Sequence, residues 1–178
     1  MAEFKKLLAG GDLRSIGKSK LVISEIKGQK DFDELFKYLF DNDRLVVMRA
    51  ADAIEKITAK EPTYLTKHKK EILKLCSFAK DKELMWHLAL LTPRLHLNNK
   101  EFGNAWDTLT KWAMNKTNSR IVRVNSVQGL SELLAQKSDL AEDFELTLVE
   151  LEKENVPSIN ARIRKIKKQI LKRQVRQR

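Results

Sequence analysis

The run Asp43-Arg44-Leu45-Val46-Val47-Met48-Arg49-Ala50-Ala51-Asp52-Ala53-Ile54-Glu55-Lys56-Ile57 decides the fold, because it returns down the chain at a constant interval. Moved forward by 38 residues it aligns with residues 81–95, and by another 38 with residues 119–133. Leu45, Glu83 and Ile121 then correspond, as do Val47, Met85 and Arg123, Ala51, Ala89 and Val127, and Ile57, Leu95 and Leu133. Glu83 and Arg123 stand where apolar residues fit the pattern better. A shift of 113 aligns residues 159–170 with 46–57, and a shift of −31 aligns residues 18–26 with 49–57. Self-similarity at a period of about 20–50 residues marks stacked structural repeats.

A second set of segments lies between these. Phe32, Leu35, Phe36, Leu39 and Phe40 follow the i, i+3, i+4, i+7, i+8 spacing of an amphipathic helix. Leu65, His68, Ile72, Leu75, Cys76 and Ala79 do the same, then Phe102, Trp106, Leu109 and Ala113, then Leu140, Phe144, Leu148 and Leu151. Asp31, Thr63, Asn99 and Asp139 are placed to cap helix starts. Pro62 and Pro157 suit first turns, and Gly10-Gly11 and Gly28 fall at breaks. With 6 Gly and 3 Pro the chain has little turn chemistry for an all-β fold. The expected architecture is all-α: about five hairpins, each an outer helix followed by an inner one, in a single repeat domain over residues 1–178. Residues 1–11 hold a short cap helix, and residues 173–178 are expected to fray into a basic tail.

The run from Asp43 to Ala51, with Asp43 six residues before Arg49, resembles the second-helix signature of HEAT repeats. The spacing persists as Asp81/His87 and Ser119/Asn125, and the proline that often kinks the outer helix is absent. The resemblance implies an α-α superhelix of about five HEAT-like or armadillo-type hairpins whose inner helices line a concave face. On that orientation, positions i, i+3, i+7 and i+11 of each inner helix form the candidate surface. They are Arg49, Asp52, Lys56 and Lys60; His87, Leu90, Arg94 and Asn98; Asn125, Gln128, Glu132 and Gln136; and Arg162, Lys165, Gln169 and Arg173, with Lys18 and Glu25 added by the first repeat. Eight Lys/Arg against three acids make this surface mildly basic. It suits a protein partner with an acidic surface or peptide. Nucleic acid stands as the alternative, since phosphate contacts need the same long cations.

The formal net charge is +11, but residues 157–178 alone hold nine Lys/Arg and no acid. The rest of the chain, with 26 basic and 24 acidic residues, is nearly neutral. Seven acids and one lysine in residues 138–154 put an acidic helix beside the basic one. The basic helix lacks the aromatic anchors that favour membrane insertion, and no apolar run approaches the ~20 residues that cross a bilayer. One cysteine excludes an internal disulfide, and residues 1–12 lack a signal-peptide core, so a cytoplasmic monomer is expected.

Catalysis has little to stand on. Phosphate-binding glycine loops, the G-x-S-x-G elbow and the H-E-x-x-H metal motif are all missing. His68, His87 and His96 are scattered, His68 on an apolar stripe, and one Cys with no Cys/His spacing makes no zinc site. Cys76 lies on a buried stripe and makes a poor nucleophile. No cofactor or metal is expected, and the chain is read as a non-enzymatic scaffold or adaptor. The one enzymatic alternative comes from HEAT-like glycosylases for alkylated bases, for which Asp52, Trp86 and the pair Trp106-Asp107 are the only candidates. The three tryptophans, Trp86, Trp106 and Trp112, sit at helical spacing to core positions, which favours packing.

Overall fold

The computed structural model of the chain describes residues 4–11 and 18–176, and side chains through residue 172. Ten α-helices follow one another, with no strand, among the described residues. They are α1 (Phe4–Leu8), α2 (Ser19–Glu25), α3 (Gln29–Phe36), α4 (Arg44–Thr58), α5 (Lys69–Phe78), α6 (Lys82–Leu91), α7 (Asn99–Met114), α8 (Arg120–Leu134), α9 (Ala141–Lys153) and α10 (Pro157–Arg176). The helices pair as five hairpins, the odd-numbered ones standing where the sequence reading has its outer helices and the even-numbered ones where it has its inner helices. The chain divides into two compact units, Met1–His96 and Leu97–Arg178.

The 38-residue interval is an interval of helix starts. Asp43, Asp81 and Ser119 are the N-caps of α4, α6 and α8. Asp43 accepts the Leu45 N–H at 2.9 Å, which satisfies one of the free donors of the first turn. Ser119 does the same for Val122 at 3.5 Å. Asp81 makes no capping bond, and its carboxylate lies 3.2 Å from the Arg44 guanidinium instead.

Outer helices begin elsewhere than the sequence suggests. Asn98, not Asn99, caps α7, because it stands three residues before Glu101 and the two exchange backbone and side-chain bonds at 2.9 Å. Gly28 precedes α3, with Asp31 one turn inside and accepting from Lys27 N–H. Thr63 and Asp139 lie within 3₁₀ turns, at Pro62–His68 and Ser138–Leu140. Pro62 and Pro157 do open their segments. The third inner helix stops at Leu91 rather than running to Leu95. Pro93 has no N–H to continue the ladder, and the chain tightens into a 3₁₀ turn at Thr92–Arg94.

In the first unit α2 packs on α4 and α4 on α6, while α1, α3 and α5 lie against their hairpin partners. In the second unit α8 packs on α10 and α7 on α9. Neither face of a single hairpin is wide enough to bury itself, so each unit builds its core from neighbours. Phe32, Leu35, Ile54, Ile72, Leu75 and Leu88 fill the first, and Leu109, Val127, Leu130, Phe144, Leu148 and Ile163 the second, all at most 2% exposed. Polar bonds repeat the same step. Arg44 meets Glu83, 39 residues on, and Trp106 Nε1 donates to Asp143, 37 residues on, at 2.7 Å. Side chains one repeat apart in sequence are thus touching neighbours in space.

Candidate partner-binding surface

Three arginines at the edges of the inner helices reach backbone carbonyls at helix ends. The last four C=O groups of an α-helix have no partner inside it, and a cation is favoured there by the helix dipole. Arg49 is 1% exposed, and its Nη1 donates to the carbonyls of Leu8, Ala9 and Gly10 at 2.7, 3.2 and 2.6 Å. Gly10 and Gly11, at φ of 78° and 80°, turn the chain through the left-handed region that places these carbonyls together. A Cβ on Gly11 would sit 3.2 Å from Arg49 Nη2. Arg94 Nη1 donates to Glu55 O at 2.6 Å and Thr58 Oγ1 at 2.8 Å, closing the end of α4, while its Nη2 meets Glu55 Oε1 at 3.1 Å. Arg123, 4% exposed, donates from Nε to Ala113 O at 2.7 Å and from Nη2 to Glu154 at 2.8 Å. The misfit at Arg123 is therefore a clamp on the end of α7. Glu83 is likewise buried and neutralised by Arg44, at 2.5 Å.

Several surface candidates are thus inside the fold. Arg49 and His87 are buried and offer no side chain to a partner, and Arg94 is largely engaged. Burial holds the His87 imidazole neutral, with its pKa brought down to about 4, against the pull of the Asp52 carboxylate and alongside the Lys56 and Arg94 cations. Gln128 donates to Glu132 at 2.8 Å and accepts from Arg162 at 2.7 Å, which ties α8 to α10. Asn125 is half-buried beside them on α8. Lys18, Lys56, Lys60 and Lys165 are exposed, Lys56 paired with Asp52 at 2.6 Å. The side chain of Arg173 lies outside those described.

The structure adds a feature that helical spacing did not indicate. A groove of about 540 Å³ opens where the ends of α2 and α4 meet the turn at Pro62–His68. Ile23, Ile26, Ile57, Ala59 and Tyr64 form its apolar wall, and the Tyr64 ring stacks on Phe32 at 5.1 Å. Its charged rim is mostly committed: Glu55 to Arg94, Glu61 to the Thr63 hydroxyl, and Lys56 to Asp52. Lys60 is exposed and has no ion-pair partner among the described residues. Ile23 and Ile26 are half-exposed at a helix end, where periodicity alone does not separate a groove wall from a core edge.

The residues weighed for chemistry have structural surroundings. His68 Nε2 lies 2.7 Å from Asp33, with its ring stacked on Phe36 at 3.9 Å. Burial pushes the Cys76 thiol up to about 11, and its Sγ sits 3.4 Å from Thr92 Oγ1, so it keeps its proton at neutral pH. Trp106 is 4% exposed and packs edge-on to Phe144, Trp112 is 9% exposed, and Trp86 is half-buried beside His87. Among the described residues no group of three or more His, Cys, Asp or Glu is arranged to hold a metal ion. No described helix is long and apolar enough to cross a membrane.

The HEAT repeat domain is the family whose model matches the chain, over residues 12–172. No curated protein and no solved structure matches it. Domains of this family are helical solenoids that generally mediate protein interactions and are typically non-enzymatic scaffolds.

Proposed function

The chain belongs to the HEAT repeat domain family, and from that premise we propose that it is a non-catalytic scaffold gripping a protein partner at the groove of its first unit. An apolar side chain of the partner enters between Ile26, Ile57 and Tyr64, and a neighbouring carboxylate meets Lys60. The observation that carries this reading is the groove itself. Its wall is apolar, Glu55 and Lys56 are already held in ion pairs, and Lys60 stands exposed on the rim beside Glu61, whose carboxylate accepts the Thr63 hydroxyl. Pockets of about 300–1,000 Å³ with an apolar wall and few polar groups are the usual form of a site for a small ligand, and one anchoring side chain of a partner is a ligand of that kind. An acidic segment with an aliphatic or aromatic anchor fits that description, its carboxylate meeting the exposed Lys60.

The test is affinity capture with nuclease-treated extracts, comparing the natural chain with Ile26→Glu combined with Lys60→Glu. A control chain carries Lys74→Glu on the exposed side of α5. Partners retained by the natural and control chains and lost by the double variant, with helix content unchanged by circular dichroism, are the expected result. Capture that survives the double substitution, or that depends on nucleic acid, would remove the groove from the account.

A further inference from the structure

The cations of α10 divide into two classes. At about 100° per residue, Ile159, Ile163 and Ile166 share one face, and all three are fully buried. Arg162 and Lys167 flank that face and are tied inward. Arg162 bonds Gln128, and Lys167 lies 3.2 Å from Glu145 and 3.1 Å from Glu152 of α9. Arg164, Lys165, Lys168 and Lys172 fall on the opposite side within about 100° of arc and about 12 Å of helix length. All four are exposed, and none has an ion-pair partner among the described residues. Like charges four apart weaken a helix by a few tenths of a kcal/mol. This stripe therefore opposes its own helix, and no acid anywhere in residues 157–178 relieves it.

We propose that this stripe is a binding surface for the phosphate backbone of a nucleic acid, separate from the groove of the first unit. A duplex presents one negative charge per about 1.7 Å of axis, so about 12 Å of stripe passes some seven phosphates. On α10 Ile159, Ile163 and Ile166 are already buried, Leu171 is its one exposed large apolar side chain among the described residues, and residues 157–178 contain no Phe, Tyr or Trp to enter a lipid interface. Contacts from these cations to phosphates position a backbone and carry no sequence information, so binding through them is independent of sequence.

The test is fluorescence anisotropy with labelled mixed-sequence duplex and single-stranded probes between 50 and 200 mM salt. The natural chain is expected to bind at low salt with a steep loss as salt rises. The variant Arg164→Gln, Lys165→Gln, Lys168→Gln, Lys172→Gln is expected to lose at least tenfold in affinity. For the duplex, the slope of log K against log salt should shrink by about 3–4, since each phosphate that a cation neutralises adds roughly 0.9 to it. Exchanging Arg for Lys and Lys for Arg at the four positions should keep the binding, which separates charge from fold. An unchanged slope in the glutamine variant overturns the proposal. So does binding that depends on the four charges but selects phosphatidylserine vesicles or polyglutamate over both nucleic-acid probes. Ile26→Glu with Lys60→Glu should leave this binding intact, so failure of the groove and failure of the stripe are told apart.

Discussion

α4 and α10 are both inner helices with apolar faces and several cations, yet they use those cations oppositely. On α4, Arg44 reaches Glu83 of the next hairpin, Arg49 closes the carbonyls of the preceding one, and Lys56 turns to Asp52 on its own helix. On α10, Arg162 and Lys167 are held inward while four others face outward. The difference lies in the neighbours. α4 is packed by α2 and by α6, so cations at its edges meet carbonyls or carboxylates that lack partners. The number of basic residues on a helix therefore predicts neither stability nor binding until the adjacent carbonyl ends are located.

The strongest way to break this comparison is Arg49→Met. It leaves the buried carbonyl of Leu8 and the more accessible ones of Ala9 and Gly10 without their shared charged donor, and hydrogen bonds to a charged group contribute about 1.5–3 kcal/mol. Urea denaturation should show a destabilisation of roughly 3 kcal/mol, whereas one under about 0.5 kcal/mol would deny Arg49 its structural role.

Next comes the acid limb of stability. His87 has a folded pKa of about 4 against 6.5 unfolded, so the unfolded chain binds the extra proton between those values. The contribution of neutral His87 is complete above pH 6.5 and is lost as pH falls toward 4. That contribution is on the order of 3 kcal/mol. In His87→Gln, stability between pH 6.5 and 4 should fall less steeply, by nearly one proton in the linkage slope. Parallel curves for the two chains would contradict the burial argument. A smaller effect, about 1 kcal/mol, is expected for Glu83→Gln, since its partner Arg44 is half exposed and solvent screens the pair. The four-glutamine variant of α10 should change stability least, within about 0.5 kcal/mol in either direction.

Much of the fold was written in the periodicity. Aligning residues 43, 81 and 119 found three successive inner-helix N-caps, because the start of each inner helix repeats more faithfully than its apolar positions do. The outer starts were less legible, since a capping box depends on a pair such as Asn98 and Glu101 rather than on one polar residue. The surface was legible only in part. Helical spacing places Arg49, His87 and Arg94 at the border of the apolar face, and cannot say whether that border meets water or the next hairpin. Arg123 looked misplaced for the same reason: its partners, Ala113 O and Glu154, come from two other segments. The groove between Ile23, Ile26 and Tyr64 depends on how α2 and α4 end, which no periodic pattern encodes.

Solvent exchange of the arginine Nε–H protons, followed by nitrogen-15 NMR with and without a short duplex, puts the contrast between clamping and exposed cations to the most direct test. Arg49 and Arg123 should show protected, slowly exchanging side-chain protons that the duplex leaves unchanged. Arg164 should exchange freely in the isolated protein and slow when the duplex is added. Fast exchange at Arg49 and Arg123, or a duplex response there with none at Arg164, would contradict the division of the basic residues into those that hold the repeats and those that face a partner.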